Sequence, residues 1–114
     1  MDQYAVKDID GKTLNQFNGV EFKEKTGTTH TVVKNDHADI LEMNNAATIT
    51  VTLPNNVPPG FHCVIQKTGA GNVVLSVEGT LRSENSYTTI TTQNKCITII
   101  KRDATVWVAI GVEA

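Results

Sequence analysis

The sequence predicts an all-β fold: a single antiparallel β-sandwich, jelly-roll-like, of about seven or eight strands with an N-terminal arm or hairpin. Three observations carry this expectation. Threonine and valine recur throughout, and both are stiff at χ1 and suited to a pleated surface. The stretch Thr48–Leu53 alternates strictly, with Ile49, Val51 and Leu53 on one face and Thr48, Thr50 and Thr52 on the other. That period belongs to a strand with one buried face. Finally, turn residues punctuate the chain at short intervals from Thr28 onward, while strong helix formers never gather into a periodic stretch.

Taken in order, Thr28–Lys34 alternates and ends in the turn chemistry of Asn35-Asp36-His37. The best helical candidate, Asp36–Asn45, is short, and within it Asp39–Met43 sets Ile40 and Glu42 against Leu41 and Met43. Pro54 cannot donate a ladder hydrogen bond and closes the Thr48–Leu53 strand. A loop follows, and Gly60 lets the chain re-enter the sheet. Phe61–Lys67 is apolar almost throughout, as a central strand should be. Thr68-Gly69-Ala70-Gly71-Asn72 then reads as a tight turn needing positive φ, joining Phe61–Lys67 to Val73–Val77 in a β-hairpin. Tyr87–Thr92, Cys96–Lys101 and Thr105–Ile110 read as a meander. Alternation gives an expected core of Val33, Leu41, Ile49, Val51, Leu53, Val64, Ile65, Val74, Leu75, Ile90, Ile97, Ile99, Val106, Val108 and Ile110. Trp107 falls between two of these and is expected on the opposite face, as a surface contact.

Residues 1–27 differ in character. Their apolar members are irregularly spaced, and Glu21, Lys23, Glu24 and Lys25 form a charged cluster. Asn18-Gly19 could turn a hairpin between Leu14–Phe17 and Val20–Lys23. The expected division is an attachment arm over 1–27 and a β-sandwich over 28–114. Tyr4, Val6, Ile9, Leu14 and Phe17 are the candidate anchors, since apolar side chains of this size are costly to leave in water.

With 114 residues the chain fits one domain and can bury a core without metal or disulfide help. The net charge of −2 and the scatter of Lys and Arg argue against nucleic acid. No apolar run approaches the roughly 20 residues of a membrane span. Met1-Asp2-Gln3-Tyr4 is acidic and polar, so no signal peptide is expected there and synthesis is expected in a reducing cytoplasm. Cys63 and Cys96 each sit in an apolar run and read as buried, reduced thiols. A cross-strand disulfide stays open at this level.

Catalytic and metal chemistry find little support. His30, His37 and His62, with Asp36, Asp39 and Cys63, match no compact ligand spacing, so no metal is expected. A nucleophilic cysteine would need an electropositive cleft, and both cysteines lie among apolar neighbours. Asp8, Asp10, Glu21, Glu78, Glu84 and Asp103 are scattered turn or surface acids rather than a carboxylate pair. Gly69-Ala70-Gly71 lacks the lysine and helix of a phosphate loop. The expectation is a protein that is no enzyme and carries no cofactor.

One resemblance is visible. Asp39-Ile40-Leu41-Glu42-Met43-Asn44, Ala47-Thr48-Ile49-Thr50-Val51-Thr52-Leu53-Pro54, Pro59-Gly60-Phe61, Val64-Ile65-Gln66, Gly69-Ala70-Gly71-Asn72-Val73 and Trp107-Val108-Ala109-Ile110-Gly111 follow one another in order. In that sequence they resemble a small β module of bacteriophage tail-fibre, tailspike and virion surface proteins. The likeness runs from about Thr29 to Gly111. It implies a non-catalytic virion structural protein whose module assembles as a homotrimer or sits as an appended domain. A chain of this length, with one module and an arm, suits a head decoration or short head-fibre subunit docked on the major capsid protein or connector. The alternative is a receptor-binding tail-fibre module that recognises a host-surface glycan, for which Trp107 and Tyr87 are the available aromatics.

Overall fold

The computed structural model describes residues 20–114 in full and, before them, the backbone of two short strands. These strands, β1 (Val6–Lys7) and β2 (Thr13–Leu14), pair antiparallel as a separate two-stranded sheet. The expected anchors Tyr4, Ile9 and Phe17, and the side chains of Val6 and Leu14, lie outside the described residues, as does the Asn18-Gly19 turn.

From Phe22 the chain winds rather than folding back on itself. β3 (Phe22–Lys25), β5 (Ile40–Met43) and β7 (His62–Lys67) lie side by side and parallel in one sheet. β4 (Thr29–Thr31), β6 (Ile49–Leu53) and β8 (Val73–Val77) lie side by side and parallel in another. The chain therefore alternates between sheets at each strand, and each turn stacks on the one before. This is the topology of a parallel β-solenoid. The remaining strands close it. β11 (Cys96–Lys101) and β12 (Val106–Ile110) extend the first sheet antiparallel beyond β7, and β9 (Thr80–Arg82) runs parallel to β12 at its edge. β10 (Thr89–Ile90) extends the second sheet beyond β8. The orders are β3-β5-β7-β11-β12-β9 and β10-β8-β6-β4.

The expected all-β class therefore holds, but the jelly-roll sandwich does not, because consecutive strands from β3 to β8 lie in opposite sheets and alternate strands pair in parallel. The Phe61–Lys67 and Val73–Val77 hairpin is corrected for the same reason: β7 and β8 belong to different sheets. Gly69 and Gly71 sit at a solenoid corner without positive φ, which among the described glycines belongs to Gly60 and Gly111. Their smallness is needed for stacking instead. A Cβ on Gly71 would collide with the Ala47 carbonyl of the turn below, and one on Gly69 would lie 2.5 Å from the Asn45 nitrogen. The Gly71 N–H donates to the Asn45 carbonyl at 2.8 Å, so the two corners are hydrogen-bonded as well as close. β3 pairs with β5, so the solenoid begins before the expected boundary at residue 28.

The core is the space between the two sheets. Ladder positions Leu41, Ile65 and Ile97 stack in register, as do Val51 and Leu75. Nine of the expected core positions are buried: Leu41, Ile49, Val51, Leu53, Ile65, Leu75, Ile90, Ile97 and Ile99. The others, Val33, Val64, Val74, Val106, Val108 and Ile110, are not, and Val33 and Ile110 are exposed. In β12 the phase is inverted: Trp107 and Ala109 point inward and Val106, Val108 and Ile110 outward. A one-residue shift of phase flips a whole strand, and Val-Trp-Val-Ala-Ile offers apolar residues to both faces.

Candidate functional site

Two polar clusters interrupt the apolar interior, both at corners where the chain passes from the four-stranded to the six-stranded sheet. The first lies in the solenoid's first turn. There Lys23 takes an inward position of β3, stacked on Leu41, and His30 the inward position of β4, stacked on Val51. Beyond β4 the chain makes a single 3-10 turn over Lys34–Asp36, and Ala38 takes a left-handed conformation (φ 64°) before β5. This tight path tucks two aspartates inward, Asp36 and Asp39, each about 1% exposed.

The lysine and the carboxylates meet. Lys23 Nζ lies 3.2 Å from Asp36 Oδ1 and 2.9 Å from Asp39 Oδ2. His30 Nε2 lies 3.0 Å from Asp36 Oδ2, which also accepts the Val33 N–H at 3.0 Å. The Glu21 N–H donates to Asp39 Oδ1 at 3.3 Å. Burial alone would raise the Asp36 carboxyl, but the bonds from His30, the Val33 N–H and Lys23 outweigh it and hold it at about 2. Burial opposes the charge on Lys23 too, yet Asp39 and Asp36 together raise it above its ordinary value. Nearby Cys63 is pushed up to about 12, first by burial and then by the two aspartates.

This arrangement stabilises buried charge: the side chains of Asp36 and Asp39 are 2% and 0% exposed, and both carboxylates are met by Lys23. The Cys63 thiol stays protonated and is no nucleophile. Among the described residues no group of three His, Cys, Asp or Glu side chains is placed to hold a metal. The network places charge at inward positions of β3 and β4, where the side chains stacked on them, Leu41 and Val51, are apolar.

The second cluster lies at the corner joining β6 to β7. Lys101 ends β11 in the inward phase and is 1% exposed. Its Nζ donates to the carbonyls of Asn55 at 3.0 Å and Val57 at 2.8 Å. Trp107, 0% exposed, donates its indole N–H to the Pro54 carbonyl at 3.0 Å. Phe61 packs edge-on against Trp107, with ring centroids 5.7 Å apart, and His37 lies tilted against Phe61 at 5.6 Å.

The expected surface role of Trp107 is thus corrected: the indole is buried, because Pro54 satisfies its only donor. Tyr87 is half-buried and packs against the core. Cys63 is buried as expected, but Cys96 is exposed. Cys63 pairs in register with Ile99 and Cys96 with Gln66, with Cys63 inward and Cys96 outward, so the two thiols cannot bridge. The inward lysines had a sequence signal. Cys63-x-Ile65-x-Lys67 and Ile97-x-Ile99-x-Lys101 each carry the lysine in the phase of the buried residues. The Lys23–Asp36–Asp39 contact had none, because its members meet only through the stacking of turns.

Among the described residues no helix is long and apolar enough to cross a membrane. Comparison of the chain with protein-family models, with curated proteins and with solved structures finds no match in any of the three.

Proposed function

We propose that this chain is a non-catalytic structural protein of a bacteriophage particle, a head decoration or short head-fibre subunit that assembles with copies of itself. One observation carries the reading. The residues that resemble the phage surface module coincide with the residues that build the solenoid. Thr50-Val51-Thr52-Leu53 lies within β6, and Pro54 after it receives the Trp107 indole. Gly69-Ala70-Gly71 forms the close-packed corner, and Trp107 and Ala109 supply the inward face of β12. The shared pattern is therefore one coherent scaffold, and the Lys23–Asp36–Asp39 network beside it is turned inward. A rigid stack with flat outer faces suits assembly and display.

Attachment to the major capsid protein or connector is assigned to the residues before Val20, with Tyr4, Val6, Ile9, Leu14 and Phe17 as anchors. The glycan-binding alternative loses its best aromatic, since Trp107 is buried. The test is mass spectrometry of purified particles from the phage or prophage that encodes the chain, quantified against the major capsid protein. Decoration predicts many copies per particle and a fibre predicts few. Complete absence from particles overturns the reading.

A further inference from the structure

We propose that the outer face of the six-stranded sheet binds further copies of this chain. This rests on the self-assembly expected above and names the surface that performs it. Outward positions on β3, β5, β7, β11 and β12 fall in one ladder row, Phe22–Ile40–Val64–Thr98–Ile110, which is apolar except at Thr98. Beside it, Ile100 and Val108 pair across β11 and β12. Phe22 is 64% exposed and Ile110 57%. Scattered apolar residues on a surface are ordinary, but a row in register across five strands, interrupted at Thr98 and bordered there by Ile100 and Val108, is not.

The other sheet shows what a solvated outer face of this solenoid looks like. Its outward positions run Thr29–Thr50–Val74–Thr89 in one row, with a single aliphatic side chain, and Thr31–Thr52–Ser76 in the next. Hydroxyls keep that face wet. The six-stranded sheet has aliphatic side chains at the matching positions, which favours burial against another surface.

Charge indicates that this surface is a second copy. Glu24 and Glu42 flank the apolar row on one side, at the β3–β5 end. Arg82, in register with Val108, flanks it on the other side, at the β9 end. A face with acid at one corner and base at the opposite corner is complementary to itself. A two-fold across that diagonal, or a closed ring of copies, brings the acids of one chain to the base of the next. Six strands at about 4.8 Å spacing and about five residues of about 3.3 Å give a footprint of roughly 500 Å² per copy, or about 1,000 Å² in total. That lies at the lower bound of a specific interface, about 1,000 Å², and predicts micromolar rather than nanomolar association.

The test uses the full chain. Sedimentation from about 1 µM to about 300 µM should show a closed oligomer with a micromolar dissociation constant. Ile110→Lys should weaken it about tenfold or more, and Phe22→Lys, at the far end of the row, should act alike. Thr31→Lys, on the hydroxyl face, should match the wild type. Far-UV circular dichroism identifies any variant that has not folded. A second readout is native: Cys96 is exposed on the same outward face, so its alkylation should slow with concentration in the wild type and not in Ile110→Lys. A monomer across the whole range overturns the proposal, whatever else covers the face. So does a Thr31→Lys effect as large as that of Ile110→Lys. A monomer that is nevertheless found in particles sinks this face and leaves the virion reading standing. An oligomer absent from particles does the reverse.

Discussion

Lys101 and Trp107 are direct partners across β11 and β12, and together they hold the loop that follows β6. The ammonium takes the Asn55 and Val57 carbonyls, the indole takes the Pro54 carbonyl, and the ammonium lies 5.8 Å from the indole ring. A buried lysine is costly unless its donors are used. Here they satisfy loop carbonyls that the turn geometry leaves without ladder partners, so the lysine replaces the missing end of a sheet.

Lys101→Met should therefore destabilise the protein although it makes the core more apolar. Hydrogen bonds to a charged donor are worth about 1.5–3 kcal/mol net, and the abandoned carbonyls stay desolvated. The expected loss is about 2–3 kcal/mol in urea unfolding. Lys95→Met is the control: Lys95 is half-exposed, 3.9 Å from Glu113, and its loss should cost about 0.5 kcal/mol or less. Equal effects of the two would show that the buried lysine contributes nothing special.

Gly71→Ala should be among the most damaging single-methyl additions. The new Cβ would meet the backbone carbonyl of Ala47, which cannot move without separating two stacked turns. A cost of about 2–3 kcal/mol, at the upper end for overpacking, is expected from thermal unfolding. At Gly27 the nearest atom to a Cβ is 3.8 Å away, so Gly27→Ala should be neutral or slightly stabilising through the unfolded state.

One thiol per native chain should react with an alkylating reagent. Cys96 is exposed, whereas Cys63 is buried and held up at about 12. Peptide mapping after brief labelling of dilute protein should place the adduct on Cys96 and leave Cys63 unmodified. Labelling of both at the same rate would mean that the β7 face around Cys63 opens readily.

The period-two signal made individual strands legible. Ile49, Val51 and Leu53 are buried as alternation required, and so are Ile97 and Ile99. Which strands pair was not legible, because alternation looks the same in a hairpin and in a solenoid turn. The corner Thr68–Asn72 is short and glycine-rich, which fits a hairpin equally well. Its glycines answer to Asn45 and Ala47 one turn away, and that relation exists only once the turns are stacked. The phase of β12 misled for a related reason. Burying a tryptophan requires a partner for its N–H, and Pro54 supplies it from far along the chain. The acidic cluster was likewise visible as residues but not as a contact, since Lys23 reaches Asp36 and Asp39, in the turn between β4 and β5, from β3.

Asp36 gives the fold a defined acid sensitivity. Its ordinary value is 3.8 and its folded value is about 2. A depressed carboxyl contributes stability that is fully present above its unfolded value and is lost as pH falls through its folded one. The window is thus from about pH 4 down to about pH 2, and the loss is about 2 kcal/mol. Glu113, held at about 2 chiefly by the Thr92 and Thr91 N–H groups, titrates over a similar range, so the bare acid curve of the wild type does not isolate Asp36. The difference from Asp36→Asn does. Near neutral pH that variant should be less stable by about 2 kcal/mol or more, because the amide loses the charge that binds Lys23 and His30. As the pH falls from about 5 to about 2 the gap should narrow by about 2 kcal/mol, since the wild-type carboxyl becomes protonated too. Lys23→Met should start from a larger deficit, about 3 kcal/mol, because it withdraws a cation from two buried carboxylates at once. Its deficit should also shrink in acid, as protonation removes the charge that Lys23 served. A gap that stays constant from about pH 5 to about pH 2 for both variants would mean that the first-turn network contributes by packing alone and not by charge.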